Sequence, residues 1–174
     1  MTLAIAKSRL RYWMIAIIAL SAGAQARAAL VIDPTFSRSV TRLSNAAQVE
    51  SAVNYVIQQY ESLFSDSITI NITIAATSNS SVLGESDTNL LTGYSYSQVR
   101  NALSTHATTA NDAIAVASLG AADPTGGANF LVPQAEAQAL GLDSPTDPKS
   151  AGTFTFGTSL SYTFDPNNRA VAGQ

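Results

Sequence analysis

The chain has 174 residues, no cysteine, and nine Lys/Arg against twelve Asp/Glu. Four of the cations (Lys7, Arg9, Arg11 and Arg27) precede residue 29 and every acid follows it, so residues 29–174 carry a net charge of −7. That balance argues against a nucleic-acid partner, which needs a basic face, and disfavours an anionic membrane surface.

Residues 1–28 have the layout of a cleavable secretory signal peptide. Three cations come first, then the apolar run Trp13-Met14-Ile15-Ala16-Ile17-Ile18-Ala19-Leu20, then small residues ending in Ala26-Arg27-Ala28. Ala24-Gln25-Ala26 is a second cleavage candidate. The apolar run is shorter than the roughly 20 residues a membrane span requires. Cleavage near Ala28 leaves 146 residues, enough for one domain with its own core. An exported chain without disulfides leans towards a bacterial source.

Ala29-Leu30-Val31-Ile32 reads as a buried strand stopped by Asp33-Pro34. After a polar loop with Arg38 and Arg42, Asn45 is placed to cap a helix, with Gln48 as its capping-box partner. Val49, Val53, Val56, Ile57, Tyr60, Leu63 and Phe64 then recur at helical spacing as one stripe. Past Asp66, Ile68, Ile70, Ile72 and Ile74 alternate with Thr69, Asn71 and Thr73, a strand with unlike faces. Residues 76–92 are serine-rich and polar, a long loop with room for a short strand or turn. Tyr94 and Tyr96 lead into a helix over 97–105 with Val99 and Leu103 inward, followed by an alanine-rich helix over 111–119. Asp123-Pro124-Thr125-Gly126-Gly127 is a turn and 128–132 a short strand. Pro133 opens a helix that Gly141 closes. Residues 153–158 and 160–164 alternate as strands, and 165–174 form a polar tail. The order predicts an α/β (α+β) domain with a mixed sheet, one long helix and several short ones.

Local motifs assign no catalytic, cofactor-binding or metal-ligating residue. His106 is the single histidine, no H-E-x-x-H occurs, and a helix-end role for His106 explains it. Gly157-Thr158-Ser159 is not a nucleophile elbow, and Gly126-Gly127 lacks the Lys-Ser/Thr of a phosphate loop. Glu50, Glu61, Glu85, Asp87, Asp112 and Glu136 are carboxylates with no visible pairing, so a carboxylate-based hydrolase stays a third-ranked reading. Asp165-Pro166-Asn167-Asn168 spaces oxygen ligands closely, as some calcium loops do, but without EF-hand spacing; a turn explains it better. The sequons at Asn71 and Asn79 matter only in a eukaryotic secretory pathway.

Several stretches resemble one family. Ala29-Leu30-Val31-Ile32-Asp33-Pro34-Thr35-Phe36, Tyr60-Glu61-Ser62-Leu63-Phe64 and Ile68-Thr69-Ile70-Asn71-Ile72-Thr73 look like the start of a family of secreted bacterial zinc metalloproteases of zincin type, many with a PEP-CTERM sorting tail. Ser95-Tyr96-Ser97-Gln98-Val99-Arg100-Asn101-Ala102-Leu103, Ala110-Asn111-Asp112-Ala113 and Ala139-Leu140-Gly141-Leu142 continue it. The resemblance implies a zincin-like N-terminal subdomain over 29–174, with a strand like Gly152-Thr153-Phe154-Thr155-Phe156-Gly157 ahead of the active-site helix. In the family that helix carries H-E-x-x-H, whose histidines hold zinc and whose glutamate activates water against a peptide bond. No residue here matches that motif, so the resemblance implies a scaffold portion cut before the active-site helix, or a relative without one. It further implies zinc and a peptide substrate for the full-length protein, and an uncovered sheet face that makes 29–174 alone unstable or aggregation-prone. The alternative reading is a non-catalytic extracellular module for binding or surface attachment.

Overall fold

A computed structural model describes residues 29–167. The signal-peptide reading and the last part of the polar tail fall outside them. The mixed α/β character is as expected. The elements in chain order are β1 (Val31–Phe36), α1 (Arg38–Thr41), α2 (Ala46–Leu63), β2 (Thr69–Thr77), β3 (Gly84–Thr88), β4 (Leu90–Tyr94), α3 (Tyr96–His106), α4 (Ala110–Ser118), β5 (Phe130–Pro133), α5 (Gln134–Ala139) and β6 (Ser150–Gly157). Four strands form one sheet in the order β1-β2-β6-β3, and β4 pairs with β5 in a second. β1, β2 and β6 are parallel, while β3 runs antiparallel on the outer edge of β6.

β2 sits in the middle because its isoleucines and threonines suit a pleated, branched-side-chain surface. Ile72, Ile74 and Ala76 share one face with Phe36 and Phe156, and the helices pack on that face. Val40 of α1, Val49 of α2 and Ile74 form the buried centre, with Leu43, Val53 and Phe164 around them. The other face presents Thr35, Thr73, Thr153 and Asp87 in one row across the four strands. It is therefore polar, and the uncovered apolar surface is narrower than a whole sheet face.

β1 does not stop at Asp33-Pro34 but runs through to Phe36. The N–H groups of Val31 and Ser37 donate to the Ile68 and Ile74 carbonyls of the neighbouring segment. Pro34 has the opposite parity, so its missing donor lies on the outer edge, where no ladder bond is lost.

α2 starts where Asn45 predicts, yet the capping box does not form: the Asn45 side chain caps nothing, and its carbonyl accepts the Gln48 and Val49 N–H groups. Only Val49 and Ile57 of the stripe are buried, whereas Val56, Tyr60, Leu63 and Phe64 are at least half exposed. The polar loop before α2 holds the short α1, and the serine-rich stretch holds the end of β2, all of β3 and the start of β4. Residues 160–164 form no strand; they cross the helix face as a strap, with Phe164 against the core and the Tyr162 hydroxyl donating to the Leu83 carbonyl.

α3 is capped by Ser95, which forms a full capping box with Gln98, and α4 by Thr109 with Asp112. Tyr96 is buried against Phe130, and its hydroxyl donates to the Gly120 carbonyl. α5 joins this smaller unit to the main sheet through two buried glutamines, Gln134 and Gln138, one turn apart. Gln134 accepts from Asn89 and donates to the Lys149 carbonyl, and Gln138 donates to the carbonyls of Thr69 and Ser144.

Two substitutions test this account by urea unfolding. Ile74→Ala should cost about 2–5 kcal/mol, because Ile74 fills the centre of the core. Gln134→Ala should cost about 1–3 kcal/mol, because it leaves the Asn89 amide and the Lys149 carbonyl without their buried partner.

Candidate functional site

The two edges of the main sheet differ. On β1 the outward N–H of Ile32 donates to Glu61 Oε1 at 2.9 Å, and Pro34 offers no donor. Glu61, one of the candidate carboxylates and a residue of the long helix, is thus spent on closing that edge. On β3 the register decides which groups are open. Gly157 N–H donates to Leu83 O, and Asn89 N–H donates to Ala151 O, so residues 83, 85, 87 and 89 face β6. Gly84, Ser86 and Thr88 therefore turn their N–H and C=O groups outward, away from the sheet. All five residues of β3 are exposed.

β3 lies close against β6 because glycines stand at both ends of the pairing. A Cβ on Gly152 would collide with the Asp87 carbonyl oxygen, and one on Gly157 with the Val82 carbonyl oxygen. This explains Gly157 in Gly157-Thr158-Ser159. Thr158 is held by its N–H and hydroxyl on the Thr77 carbonyl, and no hydrogen bond joins Ser159 to a base among the described residues.

Beside β3, on the helix side, lies an apolar hollow of about 370 Å³. Val53, Gly84, Phe154, Phe156, Tyr162 and Phe164 line it. Phe154 remains 45% exposed because α2 covers the β1–β2 half of the sheet and only the strap crosses the β6–β3 half. A second hollow of about 550 Å³ follows α2 from Ser51 to Gln59 under Asp165 and Pro166.

The remaining candidates lie away from these edges or in turns. His106 is the exposed last residue of α3, and a Cβ on Gly141 would lie 3.4 Å from its Nε2. Asp165 accepts the Asn167 N–H, a turn contact. Gly126 and Gly127 have positive φ in a turn closed by Asp123. Glu50 and Glu136 lie on α2 and α5, on different elements from Glu85 and Asp87 of β3. Among the described residues no three His, Cys, Asp or Glu side chains stand close enough to hold a metal ion, and no helix is long and apolar enough to cross a membrane. The residue pattern did not locate the β3 edge, because a strand exposed on both faces carries no apolar alternation.

Two carboxyls have a lowered pKa, Asp112 through a helix capping box and Asp123 through a turn. The Thr109 N–H, then its hydroxyl and the Thr108 N–H, hold Asp112 below its ordinary 3.8. The Thr125 hydroxyl and N–H, with the Gly127 N–H, do the same for Asp123. Each binds a proton less readily folded than unfolded, so its contribution is complete above the ordinary value and is lost as pH falls through the lowered one. Asp112→Asn should therefore destabilise the protein near neutral pH, and the gap from the wild type should shrink in thermal melts as pH drops below 3.8. No protein-family model, curated protein or solved structure matches the chain.

Proposed function

We propose that the chain is the N-terminal scaffold of an exported zinc-dependent metalloendopeptidase of zincin type, with its leader removed near Ala28. The observation that carries this reading is the β3 edge. An antiparallel strand outside three parallel ones, with outward N–H and C=O groups at Gly84, Ser86 and Thr88, offers the hydrogen bonds an extended peptide pairs with. A long helix on the same sheet, and a last strand that leads across it, also suit the resemblance.

The residues of this chain do not fit a zinc ion. His106 is the single histidine of the sequence, and it stands apart from β3 at the end of α3. In this reading the chain binds and aligns a peptide or protein substrate, and no step of hydrolysis is assigned to it. The metal ligands and the water-activating glutamate would belong to sequence outside these 174 residues.

The second reading is a non-catalytic extracellular binding module, favoured by the same edge and hollow, which bind without chemistry. The gene separates the two. The peptidase reading expects H-E-x-x-H within roughly fifty codons after Gln174, a stretch of one or two helices with loops. A stop codon directly after Gln174, or fifty codons without the motif, would replace it with the binding module.

A further inference from the structure

The β3 edge has two unlike sides, and together they specify a peptide. On the helix side Gly84 carries no side chain, which leaves the Phe154 ring bare; a Cβ there would meet its Cε2 at 3.6 Å. The apolar hollow continues from that ring towards Phe164. On the opposite side Glu85 and Asp87 project together, two residues apart and therefore about 7 Å from each other. Their cross-strand neighbours are the uncharged Thr155 and Thr153. The ion pair of Lys149 with Asp147 does not involve them.

A strand added to this edge sends successive side chains to opposite faces. Every second side chain would meet Phe154 and the hollow, and the ones between would meet two carboxylates. We propose that the β3 edge selects an extended peptide in which apolar residues alternate with lysine or arginine, apolar side chains over Gly84 and Phe154, cations against Glu85 and Asp87. The proposal rests on β3 being a peptide-docking edge and adds the chemistry of what docks. A second copy of the chain is a poor occupant. Two β3 strands paired edge to edge would bring Glu85 and Asp87 of each copy against the same acids of the other, and like charges across a strand pair are destabilising.

Fluorescence anisotropy on the full chain tests this with a labelled Lys-Leu-Lys-Val-Lys-Leu peptide. Comparators carry Glu for Lys, or Ser for Leu and Val. Two further versions are N-methylated on one or the other set of alternate residues. The parent should bind roughly five- to tenfold more tightly than the Glu or Ser versions, with the Lys preference fading in high salt. The double variant Glu85→Gln/Asp87→Asn should lose the Lys preference and keep the Leu preference, with an unchanged circular dichroism spectrum. One N-methylated version should bind and the other should not. If both N-methylated versions bind like the parent, the docking edge itself is wrong. If only one binds but the Glu peptide matches the parent, the edge stands and the selectivity is wrong. A dimer in sedimentation that Ser86→Pro dissolves would assign the edge to a second copy and overturn the proposal.

Discussion

β2 is hydrogen-bonded on both edges, to β1 and to β6, and just one of its faces is apolar. These two conditions fix the rest of the main sheet. The helices must lie on the isoleucine face, because Thr69, Asn71 and Thr73 would otherwise be buried without enough partners. With β1 and β6 beside β2, β3 pairs on the far side of β6. The strand that follows β2 in the chain thus becomes an outer edge rather than its neighbour. The crossing brings backbone close to backbone, which is why glycine stands at residues 152 and 157.

The smaller unit depends on a different kind of contact. Amide hydrogen bonds tie the smaller unit of β4, β5, α3 and α4 to the main sheet. Gln134 and Gln138 reach across to Asn89, Lys149, Thr69 and Ser144, and Asn71 reaches the Asp147 carbonyl in the same region. Buried hydrogen bonds are directional where apolar packing is not. The amide contacts therefore set where the smaller unit sits, while the apolar core around Ile74 supplies cohesion. The short α5 can do this because residues 134 and 138 fall on one helix face.

β2, with one apolar face, was legible in the sequence, and β3, which has none, was not. The alternation of Ile and Thr marked β2, and the helix expected from residue 97 begins at Tyr96. β3 reads Gly-Glu-Ser-Asp-Thr and buries nothing, so no periodicity announces it. The alternation at 160–164 reported burial only in part: Phe164 packs on the core and the Tyr162 ring meets Phe156, but Leu160 stays exposed. It mistook a strap for a strand because side-chain alternation carries no information about ladder partners. Pro34 misled for a related reason: whether a proline ends a strand depends on which edge its nitrogen faces, and that is a property of the sheet. The candidate site was hidden with β3, since the groups that edge offers are backbone N–H and C=O, which every sequence contains.

The asymmetry of the two edges ties the fold to the functional reading. An exposed strand edge is a hazard that proteins ordinarily blunt. β1 is blunted twice, by Pro34 and by the Glu61 carboxylate on the Ile32 N–H. β3 has neither device and keeps its outward backbone groups open, yet it places two acids in a row on one of its faces. Those acids oppose pairing with another copy of themselves without obstructing a partner of opposite charge. An edge kept open to backbone pairing but closed to self-pairing is what a peptide-binding strand requires. The exposed Phe154 ring beside a bare Gly84 extends the same logic to the other face, since an apolar side chain left uncovered next to an open edge is stabilised when a docked peptide covers it.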